Sequence, residues 1–265
     1  RNKQIAKEKG IKPKTKEKPP FLITSKTGMM GLIEGLVRNV NIKYSSPVTD
    51  VLFDDEEFLV KTSTQEYHAT KVIIASGVNS VQKMNINSET PPSETLESYV
   101  SIVALGFDES AFAKPIKGYG FLSPSKENTF ILGGLYTSRL FNEHSPKGKV
   151  LLRCFVGGFR NPQNASLPDE EMVTKVLSDL KELVKVNGNP EFIDIWRNDS
   201  NGIPQMLMEH QKYLDWKYEM EGKYNGLYLM GVGWHNISCS GLINEAVELV
   251  EHLRNEKGEI IEVVN

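Results

Sequence analysis

Apolar residues change their period several times along the chain, and each change predicts an element. Residues 21–24 are a short apolar run that reads as a strand. After the turn at Gly28-Met29-Met30-Gly31, Leu32, Ile33, Leu36 and Val37 recur at helical spacing and predict an amphipathic helix. The period then shortens. Residues 42–44, 51–53, 58–61 and 67–69 predict short strands, with Asp54-Asp55-Glu56 as a turn. Residues 72–75 are continuously apolar and close on Ser76-Gly77, which predicts a strand covered on both faces, as in a parallel sheet.

Residues 79–98 are polar, contain Pro91-Pro92, and predict a loop or domain crossing. Apolar stretches at 99–107, 118–122, 130–136 and 150–156, separated by Gly, Pro, Ser and Asn, predict an antiparallel sheet. Ser166-Leu167-Pro168-Asp169 has capping-box spacing with an early proline. Met172, Val173, Val176, Leu177, Leu180, Leu183 and Val184 form the apolar stripe of the helix it starts, and Gly188 ends it. Residues 192–196 predict a further strand. Residues 227–230 predict another, which meets Gly231-Val232-Gly233 and, after residues 234–240, a helix. Leu242, Ala246, Leu249, Val250 and Leu253 are its apolar stripe, and Asn244, Glu245, Glu248 and Glu251 its polar face.

Composition narrows the class. With 265 residues, 39% hydrophobic and 25% charged, the chain can bury the core of one large domain or two small ones. The 31 basic and 34 acidic residues give a formal net charge of −3, which argues against a nucleic-acid binder. No apolar run approaches the ~20 residues that span a bilayer, and no secretory leader is predicted. Cys154 and Cys239 make neither a disulfide framework nor a metal spacing, so a reducing compartment is expected. His68, His144, His210, His235 and His252 form no paired metal motif. Residues 1–20, rich in lysine and holding three prolines, read as a linker or a truncated helix. Contact with a membrane surface or polyanion is the sharper alternative.

The strand, glycine turn and helix at 227–253 are the best candidate for chemistry. A helix N-terminus presents unpaired N–H groups and partial positive charge, and glycines let backbone approach a flat cofactor. Tight βα packing explains the same spacing. Asn236 stands where a third glycine would complete G-x-G-x-x-G, and that motif occurs nowhere in the chain. Packing also accounts for His235 and for Cys239, a candidate thiol at a helix start. Gly133-Gly134 and Gly157-Gly158 either let a planar ligand lie on a sheet or mark bulges. Tyr119, Phe121 and Phe155 suit an apolar planar substrate or a core.

Six segments recur in a fixed order: Phe-Leu-Ile-Thr-Ser-Lys-Thr-Gly-Met-Met-Gly-Leu-Ile-Glu-Gly-Leu (21–36), Lys-Val-Ile-Ile-Ala-Ser-Gly (71–77), Gly-Tyr-Gly-Phe-Leu-Ser-Pro (118–124), Leu-Leu-Arg-Cys-Phe-Val-Gly-Gly (151–158), Gly-Ile-Pro-Gln (202–205) and Gly-Leu-Tyr-Leu-Met-Gly (226–231). In this order the chain resembles the flavin-dependent protoporphyrinogen oxidase family, including its coproporphyrinogen-oxidising bacterial members, within the amine-oxidase superfamily. The resemblance implies an α/β fold, α+β overall, in two parts. Residues 21–78 and 204–257 would form a partial FAD/NAD(P)-binding domain. Residues 79–203 would form a partial substrate-binding domain on an antiparallel sheet. It implies FAD as cofactor and a haem-pathway reaction. A hydride passes from a bridging carbon of protoporphyrinogen IX or coproporphyrinogen III to flavin N5, with oxygen or another acceptor reoxidising the flavin.

The resemblance also implies site residues. Val48 would hold the adenine side of FAD by its backbone, Gly231 would lie beside the cofactor, and Ile237, Ser238 and Cys239 would run along the flavin. Tyr119, Leu122, Leu135 and Phe155 would line the porphyrinogen pocket. No catalytic acid or base and no metal is implied. A porphyrinogen is the expected partner, with a homodimer and peripheral contact at the inner membrane as further associations, and the expected location is cytoplasmic. The family's N-terminal G-x-G-x-x-G unit is not in this sequence, nor is the first half of its substrate domain, which includes a basic anchor for a propionate. The chain is therefore expected to be a C-terminal portion that neither retains FAD nor turns over by itself. Asp199 stands where bacterial members often carry Trp, with Trp196 nearby. Asn-Ile-Ser-Cys-Ser-Gly-Leu-Ile (236–243) replaces a segment that commonly has Gly, Gly, Pro, Asp and Cys at five positions. A diverged relative that binds a tetrapyrrole or a partner without catalysis, and another flavoenzyme of the superfamily, remain open as alternatives.

Overall fold

The computed structural model describes residues 24–25, 27–54, 56–92, 97–198, 202–207 and 210–257. The segment 1–20, the strand expected at 21–24 (apart from Thr24) and Asp199 lie outside them. Contacts divide the chain between Ile42 and Lys43 into two units, each described by itself. In the first, helix α1 (Met29–Val37) forms where its spacing predicts, after Gly28 at φ 76°, and none of its residues is buried.

The second unit opens with an antiparallel meander of β1 (Val48–Asp54), β2 (Glu57–Thr62) and β3 (Glu66–Ala69). The strand expected at 42–44 is absent. Ser45 takes a φ of 53° and Tyr44 is 77% exposed, so neither backbone nor burial favours an extended run there. Strand β4 (Val72–Ile74) is parallel as expected, but only one of its faces is covered: Ile74 is buried while Ile73 is 45% exposed. The expected loop at 79–98 is more ordered than its polarity suggests. It holds a 3-10 turn (Val78–Lys83), β5 (Asn85–Ile86), which pairs parallel with β1, and β6 (Glu97–Ser98). Val81 and Ile86 within it, and Val78 just before it, are core, and Met84 packs against them half-buried.

Strands β7 (Val100–Asp108), β8 (Gly120–Leu122), β9 (Ile131–Tyr136), β10 (Lys149–Gly157) and β11 (Phe192–Arg197) form an antiparallel sheet in the order β11-β7-β10-β9-β8. Burial alternates strictly along β7 and β10, as a sheet with one covered face requires. Helix α2 (Asp169–Leu183) covers that face, packing Met172, Val176 and Leu180 on Leu105, Phe107, Leu152 and Val156. The helix begins differently from the capping-box expectation. Pro168 is the N-cap and gives no side-chain cap, so Ser166 plays no part. Asp169, Glu170 and Glu171 in the first turn complement the helix dipole instead. The helix stops at Leu183 rather than Gly188, because Lys185 turns into the left-handed region at φ 55°.

Strand β12 (Ile203–Pro204) pairs with β6. Helix α3 (Gln211–Lys223) precedes β13 (Leu227–Leu229), which pairs parallel with β4. Helix α4 (Cys239–Lys257) follows. A second buried cluster joins Val51, Phe58 and Ile74 to Trp216, Met220, Leu229 and Trp234, with the two tryptophan rings stacked. The stripe of α4 is narrower than expected. Leu242, Ala246 and Leu249 are half-buried, Val250 is exposed, and Glu245 turns inward. Among the described residues, no helix is long and apolar enough to cross a membrane.

Candidate functional site

The turns that leave the parallel strands β4 and β13 meet at a glycine corner. Gly77, Gly231 and Gly233 have φ of 88°, 105° and 92°. A Cβ on Gly231 would lie 2.5 Å from the carbonyl oxygen of Ala75, and one on Gly77 would lie 2.6 Å from that of Val232. Glycine is thus required both for backbone angle and for the closeness of two main chains. The Val78 amide donates to the Val232 carbonyl at 3.0 Å and ties the turns together. Helix α4 starts from this corner, where Ser238 Oγ accepts from the Gly241 amide at 3.2 Å, a side-chain N-cap.

A cleft of ≈ 490 Å³ lies against the corner, lined among others by Ser76, Asn79, Asn198, Pro204, Val232 and Ile237. Its volume falls within the roughly 300–1,000 Å³ of small-molecule sites. Glu97 organises its rim, accepting from the Asn79 amide, from the Tyr99 hydroxyl at 2.6 Å and from the Gly202 amide at 3.1 Å. The Glu97 carboxylate holds the Tyr99 hydroxyl above the usual tyrosine range.

The five-stranded sheet presents its other face in two rows. Register sets Trp196, Ile102, Phe155, Gly133 and Leu122 side by side, and next to them Asp194, Ala104, Arg153, Leu135 and Gly120. Leu122, Leu135 and Phe155 therefore share the face turned away from α2. Leu122 is 88% exposed. Tyr119, also exposed, precedes β8 and falls on the opposite alternation; its carbonyl accepts from the Tyr136 amide at 2.8 Å. Phe121 turns to the core beside Tyr136.

Of the residues expected along a cofactor, Ile237 lines the cleft and Gly231 forms the corner. Ser238 caps α4, and Cys239 is its exposed first residue. Val48 starts β1, packed against the second cluster, and is not part of the cleft wall. His235 lines a different cleft of ≈ 410 Å³, together with Lys217, Glu221, Glu245 and His252. There burial pushes the Glu245 carboxyl up. Sequence reasoning missed Ser76, Asn79, Glu97 and Asn198. Their one signal is position: each lies within a few residues of a strand end. No group of metal-ligating side chains occurs among the described residues.

Residues 12–248 match the family model of flavin containing amine oxidoreductases. The chain is 28% identical over 147 residues to the coproporphyrinogen III oxidase of Bacillus subtilis (strain 168), covering 55% of this chain and 31% of that protein. It is 25% identical over 238 residues to the coproporphyrinogen III oxidase of Staphylococcus aureus (strain NCTC 8325 / PS 47), covering 86% of this chain and 51% of that one. It is 32% identical over 137 residues to the mitochondrial protoporphyrinogen oxidase of Nicotiana tabacum, covering 50% and 27%. The chain thus spans about half or less of these relatives' length. A crystal structure from Exiguobacterium sp. 255-15, provisionally named a protoporphyrinogen oxidase, shares the fold. The TM-score is 0.77 at 22% identity, over 96% of this chain and 57% of that one.

The family's cofactor is FAD, and the corner fits the ring end of that group. Val232 and Ile237 offer apolar surface, 40% and 53% exposed, beside the polar side chains of Ser76, Asn79 and Asn198. A flat ring with a polar edge needs both. The pyrophosphate end is different, because the glycine-rich turn that seats it is not in the sequence. The matched residues take in both the corner and the open sheet face, and the chain belongs to the flavin containing amine oxidoreductase family.

Proposed function

We propose that this chain is the flavin-facing and substrate-facing part of an FAD-dependent porphyrinogen oxidase that acts on protoporphyrinogen IX or coproporphyrinogen III. In this reading residues 21–78 and 204–257 belong to the FAD-binding part and 79–203 to the substrate-binding part. One observation carries it. The apolar row Trp196–Ile102–Phe155–Gly133–Leu122 comes near the cleft at its Trp196 end, because Asn198, two residues beyond Trp196, lines that cleft. A broad apolar face thus adjoins a cleft suited to a flat ring. The curated relatives are named for porphyrinogen oxidation, which supports the same substrate class.

FAD, when bound, supplies the acceptor for a hydride from a bridging carbon of the substrate. Val232, Ile237, Ser76 and Asn79 would hold its ring. Leu122, Leu135 and Phe155 would lie under the macrocycle and exclude water from it. Among the described residues, none that lines the cleft is ionisable. The protein's work in this reading is therefore positioning rather than proton transfer.

Binding tests it. Titration of the purified chain with protoporphyrin IX and coproporphyrin III is expected to change porphyrin fluorescence to saturation at one per chain. Phe155→Asp is expected to abolish the effect. Absence of saturable binding overturns the reading. The purified chain is also expected to carry less than one flavin, and stoichiometric flavin absorbance would overturn that part.

A further inference from the structure

Arg153 sits in the middle of β10 on the open sheet face, half-buried. Across the strands it faces Ala104 on β7 and Leu135 on β9. Its same-face neighbours along β10 are Leu151 and Phe155. All four are apolar. The acid in its row is Asp194 on β11, two strand spacings or roughly 10 Å away. Among the described residues the Arg153 guanidinium has no hydrogen-bond or ion-pair partner.

Four other cations of this part of the fold are engaged. Arg139 pairs with Glu109 at 2.6 Å. Arg197 pairs with Asp169 and donates to the Leu167 carbonyl. Arg160 donates to the Ser123 carbonyl at 3.2 Å. Lys149, on the same face as Arg153, is held between Asp108 and Glu191. A guanidinium stays charged and carries five donors in a planar fork. Set among apolar side chains, it is complemented by an anion that brings its own apolar body. Ala104 keeps the row low on one side, and beyond Leu135 on the other Gly120 adds no side chain.

We propose that Arg153 binds a carboxylate on the rim of an apolar ring-shaped ligand that lies over Phe155 and Leu135, and so selects acidic ligands over neutral ones on this face. The inference rests on the reading of the face as a porphyrinogen surface; protoporphyrinogen and coproporphyrinogen both carry propionate side chains. A planar fork meets a carboxylate bidentately, so one residue fixes both the position and the rotation of the ring on the sheet.

The test compares coproporphyrin III with its tetramethyl ester on the whole chain, in one detergent-containing buffer, by porphyrin fluorescence. The acid is expected to bind more tightly than the ester. Arg153→Gln is expected to weaken acid binding about tenfold or more, the scale of a charge-assisted hydrogen bond, and to leave ester binding unchanged. Arg153→Lys, which keeps the charge but not the fork, should retain part of the preference. Circular dichroism checks that each variant folds. If Arg153→Gln keeps the preference for the acid, Arg153 is not the anchor, while the reading of the face stands. Equal affinity of the unaltered chain for acid and ester also overturns the anchor, whatever the variants do. If the unaltered chain binds neither ligand, the anchor and the reading of the face fall together.

Discussion

Glu221 and Leu229 are joined side chain to backbone: Oε1 of Glu221 accepts from the Leu229 amide at 2.7 Å. Lys217 completes the arrangement, donating Nζ to the Leu229 carbonyl at 2.6 Å and pairing with Glu221. Two side chains of α3 thus satisfy the outward amide and carbonyl of Leu229 as a further strand would. Both are largely buried, with side chains 10% and 21% exposed. Glu221→Ala strands the Lys217 charge and is expected to cost about 3–5 kcal/mol. The paired change Lys217→Met with Glu221→Leu is expected to cost less. Urea denaturation midpoints of the variants check the order, and a single variant no worse than the pair would contradict it.

The glycine corner separates backbone strain from crowding. Gly188, at φ 107°, has no atom within 4 Å of a built Cβ, whereas at Gly231, φ 105°, a carbonyl lies 2.5 Å away. Gly188→Ala is expected to cost only the left-handed penalty, about 1–2 kcal/mol. Gly231→Ala must also push two main chains apart and should cost clearly more. Thermal melts of the two variants decide, and equal losses would remove the crowding argument.

The two thiols differ in environment. Cys154 is buried between β7 and β9, and burial pushes its thiol up to about 12. Cys239 is exposed at the start of α4. Since the thiolate is the reactive form, an aromatic disulfide reagent should titrate one thiol in the native chain and two in denaturant. Two fast thiols in the native state would place Cys154 elsewhere.

Two carboxyls give stability opposite pH dependences. Asp108 is lowered to about 2, by the Ser110 hydroxyl first, then the Ser110 amide, then Lys149. Its contribution is present above the ordinary 3.8 and is lost as pH falls through about 2. Ser110→Ala should move the midpoint up toward 3.8, read by NMR titration. Glu245 is raised, chiefly by burial, from 4.5. Its contribution is full below 4.5 and is lost as pH rises through the higher folded value. Glu245→Gln should therefore gain stability relative to the unaltered chain as pH rises, and a constant difference across pH would contradict the shift.

Period-two burial made β7 and β10 readable from sequence, because one covered face imposes strict alternation on long strands. Leu135, Phe155 and Leu122 were named as a set only through the family resemblance, and the register puts them on one face. Helix α3 was not legible. Tyr213, Trp216 and Met220, its buried apolar residues, are interleaved with charges, and two of those charges, Lys217 and Glu221, turn inward to the sheet edge. Residues 42–44 look like a strand by composition, yet a left-handed Ser45 ends any extended run. The cleft wall was illegible for a different reason. Asn79, Asn198 and Val232 are far apart in sequence, and only the folded chain brings the turns after β4 and β13 and the end of β11 together. Arg153 could have been noticed as a charged residue in the middle of the apolar stretch 150–156, at an open-face position.

The most direct measurement is a crystal structure of the chain grown with coproporphyrin III. The account predicts a macrocycle lying on Phe155 and Leu135, one edge toward Asn198 and the glycine corner and a carboxylate on Arg153. A macrocycle bound away from the five-stranded sheet, with that face bare, would contradict it.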